Sequence, residues 1–268
     1  MNKTIIVNNY QYEVMIEGSG KPTWLFMHGF MGSMAEYKQV KPEGTRIYLN
    51  LLGFGPNAQV VQPAQRFRWY AQVNDLNELL NQLEIENVNL VGYSMGARLA
   101  LAYATMFPNR IDNLILEGGT AGLATQSLRQ MRIIADNKKA ALVVTLGMEN
   151  FIAEWEKLPL FSSQRQLPIE KQKFMHEQRI SQSAKNVANS LYYFGTGAMP
   201  SFWEQLTMIH VPVTLITGMD DQKFTMINQK MNQRLPQATW HQVANAGHNV
   251  HFEQTALVMD ILNHLVTD

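Results

Sequence analysis

One stretch constrains the fold of this chain more than any other: Val88-Asn89-Leu90-Val91-Gly92-Tyr93-Ser94-Met95-Gly96-Ala97-Arg98-Leu99-Ala100-Leu101. A short apolar run ends at Gly92, and helix-forming residues begin directly after Gly96. Gly92, Ser94 and Gly96 therefore spell Gly-x-Ser-x-Gly at a strand-to-helix junction, the pattern of a nucleophile elbow. The turn is so sharp that side chains two residues either side of the serine would collide, and glycine removes them. The serine hydroxyl is left exposed above the strand end, at the start of a helix whose dipole favours negative charge.

The rest of the chain alternates around that junction. Thr4 to Val7 and Tyr10 to Ile16 read as a hairpin turned by Asn8-Asn9. Trp24 to Met27 and Arg46 to Asn50 read as strands, and Trp69 to Leu83 has helical spacing. After the elbow helix, ending near Met106, Ile111 to Leu116 is another strand. From about Ala121 to Leu206 only helical patterns occur. Alternation resumes at Val211 to Gly218, continues with Thr239 to Val243, and closes with a helix from about Thr255. This rhythm predicts an α/β-hydrolase fold, a mostly parallel central sheet flanked by helices with an inserted helical cap. Residues 1–119 and 207–268 form the expected core, and 120–206 the cap.

Composition narrows the partners. Lys plus Arg and Asp plus Glu both number 22, so no net charge argues for nucleic acid or an anionic membrane. With no cysteine, disulfides, thiolate nucleophiles and Cys-ligated metals are excluded. No run approaches the roughly 20 apolar residues of a membrane span, and the first residues do not read as a signal peptide, so a cytoplasmic location is expected. No dinucleotide-binding Gly-x-Gly-x-x-Gly and no His-Glu-x-x-His zinc motif occur, so neither cofactor nor metal is expected. The sequence leaves the oligomeric state unassigned. Within 120–206, ten Lys and Arg stand against seven Asp and Glu, and the remainder of the chain has the opposite bias. The ordinary explanation is variation among solvated helix faces; the alternative is that a few cap arginines bind an anion.

A serine hydroxyl is a weak nucleophile and base until a neighbour takes its proton. In this fold the partners follow in the order Ser, acid, His. Asp220-Asp221 follows one late strand and Gly247-His248 the next, both at carboxyl ends of strands, where ligands bind in open α/β sheets. Ser94, His248 and one of the two aspartates are the candidate catalytic residues. Of seven histidines only His248 has this setting, whereas His28 fits a loop-shaping role better. The loop after Met27 is where such folds supply one oxyanion-hole amide, making Phe30 N–H a candidate beside Met95 N–H.

With these residues in view, the chain resembles the MenH family, 2-succinyl-6-hydroxy-2,4-cyclohexadiene-1-carboxylate (SHCHC) synthases of the α/β-hydrolase superfamily. The resemblance runs nearly end to end. It is carried by His28-Gly29-Phe30-Met31-Gly32-Ser33, by Gly92 to Arg98, and by Glu117-Gly118-Gly119-Thr120-Ala121-Gly122-Leu123. In the cap it is carried by Trp155-Glu156-Lys157-Leu158-Pro159-Leu160-Phe161, Gln178-Arg179 and Gly195-Thr196-Gly197-Ala198-Met199-Pro200-Ser201. The last matches are Gly218-x-x-Asp221-x-Lys223-Phe224 and Gly247-His248-Asn249-Val250-His251. The chain departs from the family at Asn50, Phe54 and Ala97, where Asp, His and Gly are usual.

The resemblance implies a lyase that eliminates pyruvate from 2-succinyl-5-enolpyruvyl-6-hydroxy-3-cyclohexene-1-carboxylate (SEPHCHC). It places the acid at Asp221 and makes Ser94 Oγ the base. It also implies that Arg98, Arg132 and Arg179 bind the carboxylates of a small anionic substrate, and that Tyr93 and Trp155 line the pocket. Arg129 is the rival to Arg132, and the three arginines are expected to converge above Ser94. Two other readings use the same residues. One is a carboxylesterase or carbon–carbon bond hydrolase with a covalent Ser94 intermediate, and the other is a ligand-binding homologue that does not turn over.

Overall fold

The computed structural model describes the backbone of residues 1–267 and the side chains through Leu265. The chain opens with β1 (Asn2–Val7) and β2 (Tyr10–Glu17), an antiparallel pair. Their turn uses Asn8 and Asn9 at φ 49° and 63°, a left-handed conformation that asparagine tolerates better than most residues. There follow β3 (Thr23–Met27), β4 (Thr45–Leu49), α1 (Trp69–Gln82), β5 (Val88–Tyr93), α2 (Met95–Met106) and β6 (Ile111–Glu117). The inserted segment contributes α3 (Gln126–Trp155), α4 (Ile169–Ile180) and α5 (Ala184–Phe194). The chain then returns to the sheet as β7 (Val213–Gly218), α6 (Gln222–Asn232), β8 (Ala238–Val243), the short α7 (Val250–Glu253) and α8 (Thr255–Thr267).

The eight strands form one sheet in the order β1-β2-β4-β3-β5-β6-β7-β8, parallel from β4 onward. The central strands are apolar at nearly every position because helices cover both faces. Successive residues feed opposite cores. Leu25, Met27, Leu90, Leu114, Leu116 and Leu215 enter one cluster, while Trp24, Phe26, Val91, Ile115 and Ile216 enter the other. This two-sided burial fixes the register of β5, and with it the height at which Ser94 leaves the sheet.

β7 starts at Val213 instead of Val211, because Pro212 has no N–H for the ladder. The long cap helix α3 is broken at Gly147, whose φ of 75° and ψ of 168° lie outside the helical region.

Candidate active site

The elbow is locked by close approach. A Cβ on Gly92 would lie 2.5 Å from the Gly96 carbonyl oxygen, and one on Gly96 would lie 2.2 Å from that of Met27. Ser94 itself sits at φ 51° and ψ −100°, a strained conformation that costs on the order of 1–3 kcal/mol. Its N–H is held by the Glu117 carbonyl at 2.8 Å, and its own carbonyl accepts the Arg98 N–H at 3.1 Å. The unusual Ala97 is accommodated because the residue facing its methyl is Gly119.

Ser94 Oγ lies 2.9 Å from His248 Nε2, and His248 Nδ1 lies 2.7 Å from Asp221 Oδ2. The carboxylate can only accept, so Nδ1 carries the proton and Nε2 is the acceptor for the Ser94 hydroxyl. Asp221 is held in turn, its other oxygen accepting the Phe224 N–H at 3.1 Å. Asp220 is exposed, so of the two aspartates only Asp221 reaches the imidazole. The Phe224 ring packs 4.4 Å from that imidazole. The backbone of Gly118 passes close by; a side chain there would meet His248 Cε1 at 2.9 Å.

Two cavities meet at Ser94. The larger, about 120 Å³, is lined by Phe30, Met95, Arg98, Arg132, Trp155 and Lys223 among others, together with Ser94 and His248. The second, about 60 Å³, shares Phe30, Ser94, Trp155 and His248 and adds Glu36, Tyr93 and Arg179. Nine of the ten sequence-derived site residues therefore line one or both cavities, Asp221 being the exception. The three arginines do not share one space, however. Arg98 and Arg132 line the first and Arg179 the second, because they leave different elements, α2, α3 and α4. Arg129 lines neither of these two cavities.

Each arginine has a different setting. Arg98 is buried; it donates to the Phe194 carbonyl at 2.7 Å and lies 4.6 Å from that residue's ring centroid. No carboxylate pairs with it among the described residues. Burial, aided by nearby Arg132, presses its pKa down to about 9, so an anion in the cavity would relieve a strongly opposed charge. Arg132 pairs with Asp136 at 2.7 Å across one helical turn. Arg179 donates to Glu156 and Gln164, both at 2.8 Å.

Several contributors have no local signature in the sequence. Glu117 holds both the backbone and the imidazole of His251, at 3.1 and 2.9 Å, while its carbonyl holds Ser94. It thus ties the elbow to the loop that carries His248. Glu36 reaches the second cavity with its carboxyl pKa raised by burial, against the pull of His251 and Arg179. Burial raises the Tyr93 hydroxyl well above its usual value, so it stays a neutral phenol.

His28 does shape the loop. The Leu51 N–H donates to its Nε2 at 3.0 Å, so Nδ1–H donates to the Gly29 carbonyl at 2.7 Å. Full burial lowers its pKa to about 4. The unfolded chain, near 6.5, binds a proton that the folded chain refuses, so stability is full above pH 6.5 and is lost as pH falls toward 4. The loss expected over that window is about 3 kcal/mol. Urea midpoints of the wild type and His28→Asn between pH 7 and 4 check this. The variant should be weaker at pH 7 and flatter with pH, and parallel slopes would contradict the assignment.

At the positions where the chain departs from the family pattern, Asn50 accepts from Met34 N–H at 2.8 Å and donates to Glu13 at 2.8 Å. An aspartate could not make the second bond. The Phe54 ring stands edge-to-face with the rings of His28 and Phe30, at 6.0 and 5.8 Å between centroids.

The comparisons with known proteins agree with this architecture. The family model of the alpha/beta hydrolase fold matches residues 22–255. A Bacillus subtilis (strain 168) protein, named as a candidate 2-succinyl-6-hydroxy-2,4-cyclohexadiene-1-carboxylate synthase, is 37% identical over 98% of this chain and 97% of its own. The synthase of that name from Salmonella paratyphi C (strain RKS4594) is 29% identical over 92% of this chain and 94% of its own. Among solved structures, MenH from S. aureus superposes with a TM-score of 0.89 at 30% identity, covering 94% of this chain and 97% of that one. An esterase from Exiguobacterium antarcticum superposes at 0.82 over the full length of both chains, but at 19% identity this likeness concerns the fold alone.

Proposed function

The chain belongs to the SHCHC synthase (MenH) family of the α/β-hydrolase fold, and from that membership we propose that it is a carbon–oxygen lyase of menaquinone biosynthesis. The reaction converts SEPHCHC to SHCHC and pyruvate. The observation that carries this reading is a hydrogen-bonded Ser94–His248–Asp221 chain opening into two cavities supplied with arginines.

The chemistry follows from the two ring systems. The substrate has its double bond at C3, its enolpyruvyl ether at C5 and a ketone side chain on C2; the product has double bonds at C2 and C4. The proton lost is therefore the one on C2, acidified by the neighbouring ketone. His248 Nε2 takes the Ser94 hydroxyl proton, and the alkoxide takes the proton from C2. Negative charge moves onto the ketone oxygen, and the Phe30 and Met95 N–H groups are the candidate donors that would receive it. The electron pair then shifts through the ring, the C5–O bond breaks, and enolpyruvate leaves to take up a proton and become pyruvate. Asp221 fixes the imidazole tautomer and stabilises its charged form. Arg98, Arg132 and Arg179 bind the three carboxylates of the substrate, with Tyr93 and Trp155 as apolar walls.

The second reading, an acyl-transferring esterase, uses the same serine as a covalent nucleophile. Intact-mass spectrometry during turnover of SEPHCHC separates the two. Elimination leaves the protein at its native mass while pyruvate accumulates. An added mass that maps to Ser94 and decays with product release would overturn the lyase reading.

A further inference from the structure

The two cavities differ in charge, and the difference involves a lysine with no role in the mechanism above. Three cations, Arg98, Arg132 and Lys223, line the larger cavity and no carboxylate does; Asp136 and Asp221 are the carboxylates close enough to act on them. Asp136 is committed to Arg132 and Asp221 to His248. The second cavity has no such excess: Arg179 and Glu36 line it, and Arg179 is already paired at 2.8 Å with Glu156, which lies outside that lining. An excess of desolvated positive charge is costly unless an anion neutralises it. The larger cavity is thus suited to more than one negative charge, and the smaller is not.

Lys223 sits at the rim of the cation-rich cavity. It is the second residue of α6, two positions after Asp221, and much of its side chain faces solvent. Its ammonium lies 5.4 Å from the Phe224 ring, the ring that packs on His248. Partial desolvation and the nearby Arg132 lower its pKa, and Asp221 opposes that shift. No carboxylate pairs with it among the described residues. A lysine near Arg132, in a cavity that Arg98 also lines, is electrostatically unfavourable in an empty site and becomes favourable when an anion lies between them.

We propose that Lys223 is a specificity-determining residue which, with Arg98 and Arg132, completes a subsite for a dicarboxylate, so that two of the substrate's three carboxylates enter the larger cavity. This rests on the anionic-substrate reading above and adds the distribution of charge between the cavities. Arg98 provides the buried cation, Arg132 the middle one, and Lys223 the mobile outer contact, a point charge on a flexible stem.

The test uses succinate as a dicarboxylate probe and butyrate as its monocarboxylate counterpart, each titrated into the intact protein by calorimetry. The wild type should bind succinate more tightly than butyrate. Lys223→Met should weaken succinate about fivefold, the scale of a partly exposed ion pair, and change butyrate less than about twofold. Lys223→Arg should restore succinate binding. In the wild type, succinate should also protect Lys223 from acetylation by acetic anhydride, mapped by peptide mass, and butyrate should protect less. That arm does not depend on any variant folding. Succinate affinity unchanged in a folded Lys223→Met protein, no preference of the wild type for succinate, or no protection of Lys223 would each overturn the proposal. If the succinate preference holds but SEPHCHC yields no pyruvate, the lyase reading fails and the subsite stands. If pyruvate is released and Lys223→Met behaves as wild type, the subsite fails and the lyase reading stands.

Discussion

Ser94→Ala is expected to lower pyruvate release from SEPHCHC by at least about 10³-fold without disturbing the fold, since positioned acid–base groups contribute on that scale. The side-chain contact that alanine removes is the one to His248 Nε2. Alanine tolerates the positive φ of the elbow no worse than serine does, and the backbone bonds to Glu117 and Arg98 remain. His248→Ala should be equally severe, because the serine proton then has no acceptor. Asp221→Asn should cost about 10²- to 10⁴-fold by allowing the imidazole to turn its proton toward Ser94. Asp220→Asn, on an exposed side chain, should change the rate by less than about twofold. Steady-state rates with thermal unfolding as a folding control check the series. Near-full activity in Ser94→Ala, or a larger effect at Asp220 than at Asp221, would contradict the assignment.

Arg98→Ala is expected to carry the largest loss of any binding residue. Its guanidinium is buried, lacks a carboxylate partner among the described residues, and has its pKa pressed down to about 9 by burial and Arg132. A bound carboxylate would supply the missing partner. Breaking such a pair costs on the order of 2–5 kcal/mol, about 30- to 5,000-fold in kcat/KM. Arg98→Lys should recover only part, because the planar fork is lost. Arg132→Ala should cost less, since its side chain is one-third exposed and already shares charge with Asp136. Arg179→Ala also releases Glu156 and Gln164 and should raise KM through a disordered second cavity. The opposite ranking, with Arg132 above Arg98, would show that the substrate's charge sits nearer the cap than the elbow.

How much of this is visible in the sequence depends on whether the controlling interaction is local. The elbow is legible because the glycine pattern and the strand–helix change lie within a few residues: Gly92 is required by a 2.5 Å approach to the Gly96 carbonyl, although Gly96 is required by a 2.2 Å approach to the distant Met27 carbonyl. The strands are legible because burial on both faces leaves almost continuous apolar runs. The Asn8-Asn9 hairpin is legible because both residues accept positive φ. Asp221 could be told from Asp220 only through family resemblance, since adjacent residues differ simply in which way the chain turns after β7. The link from Glu117 to His251 joins residues 134 apart and leaves no spacing signal. The separation of the arginines into two cavities depends on how α3 and α4 pack over the elbow, which periodicity does not encode. The break at Gly147 is silent for a related reason, because glycine inside a helical pattern reads equally as a tolerated residue.

The most direct test of the lyase assignment is a single time course with purified protein and SEPHCHC, measuring pyruvate and the cyclohexadiene product together. A lyase using Ser94 as base releases them one for one from the first turnover, with no initial burst of either. Release of neither product, or a burst of one equal to the enzyme concentration followed by slow release of the other, would contradict elimination and put Ser94 to work as a covalent nucleophile.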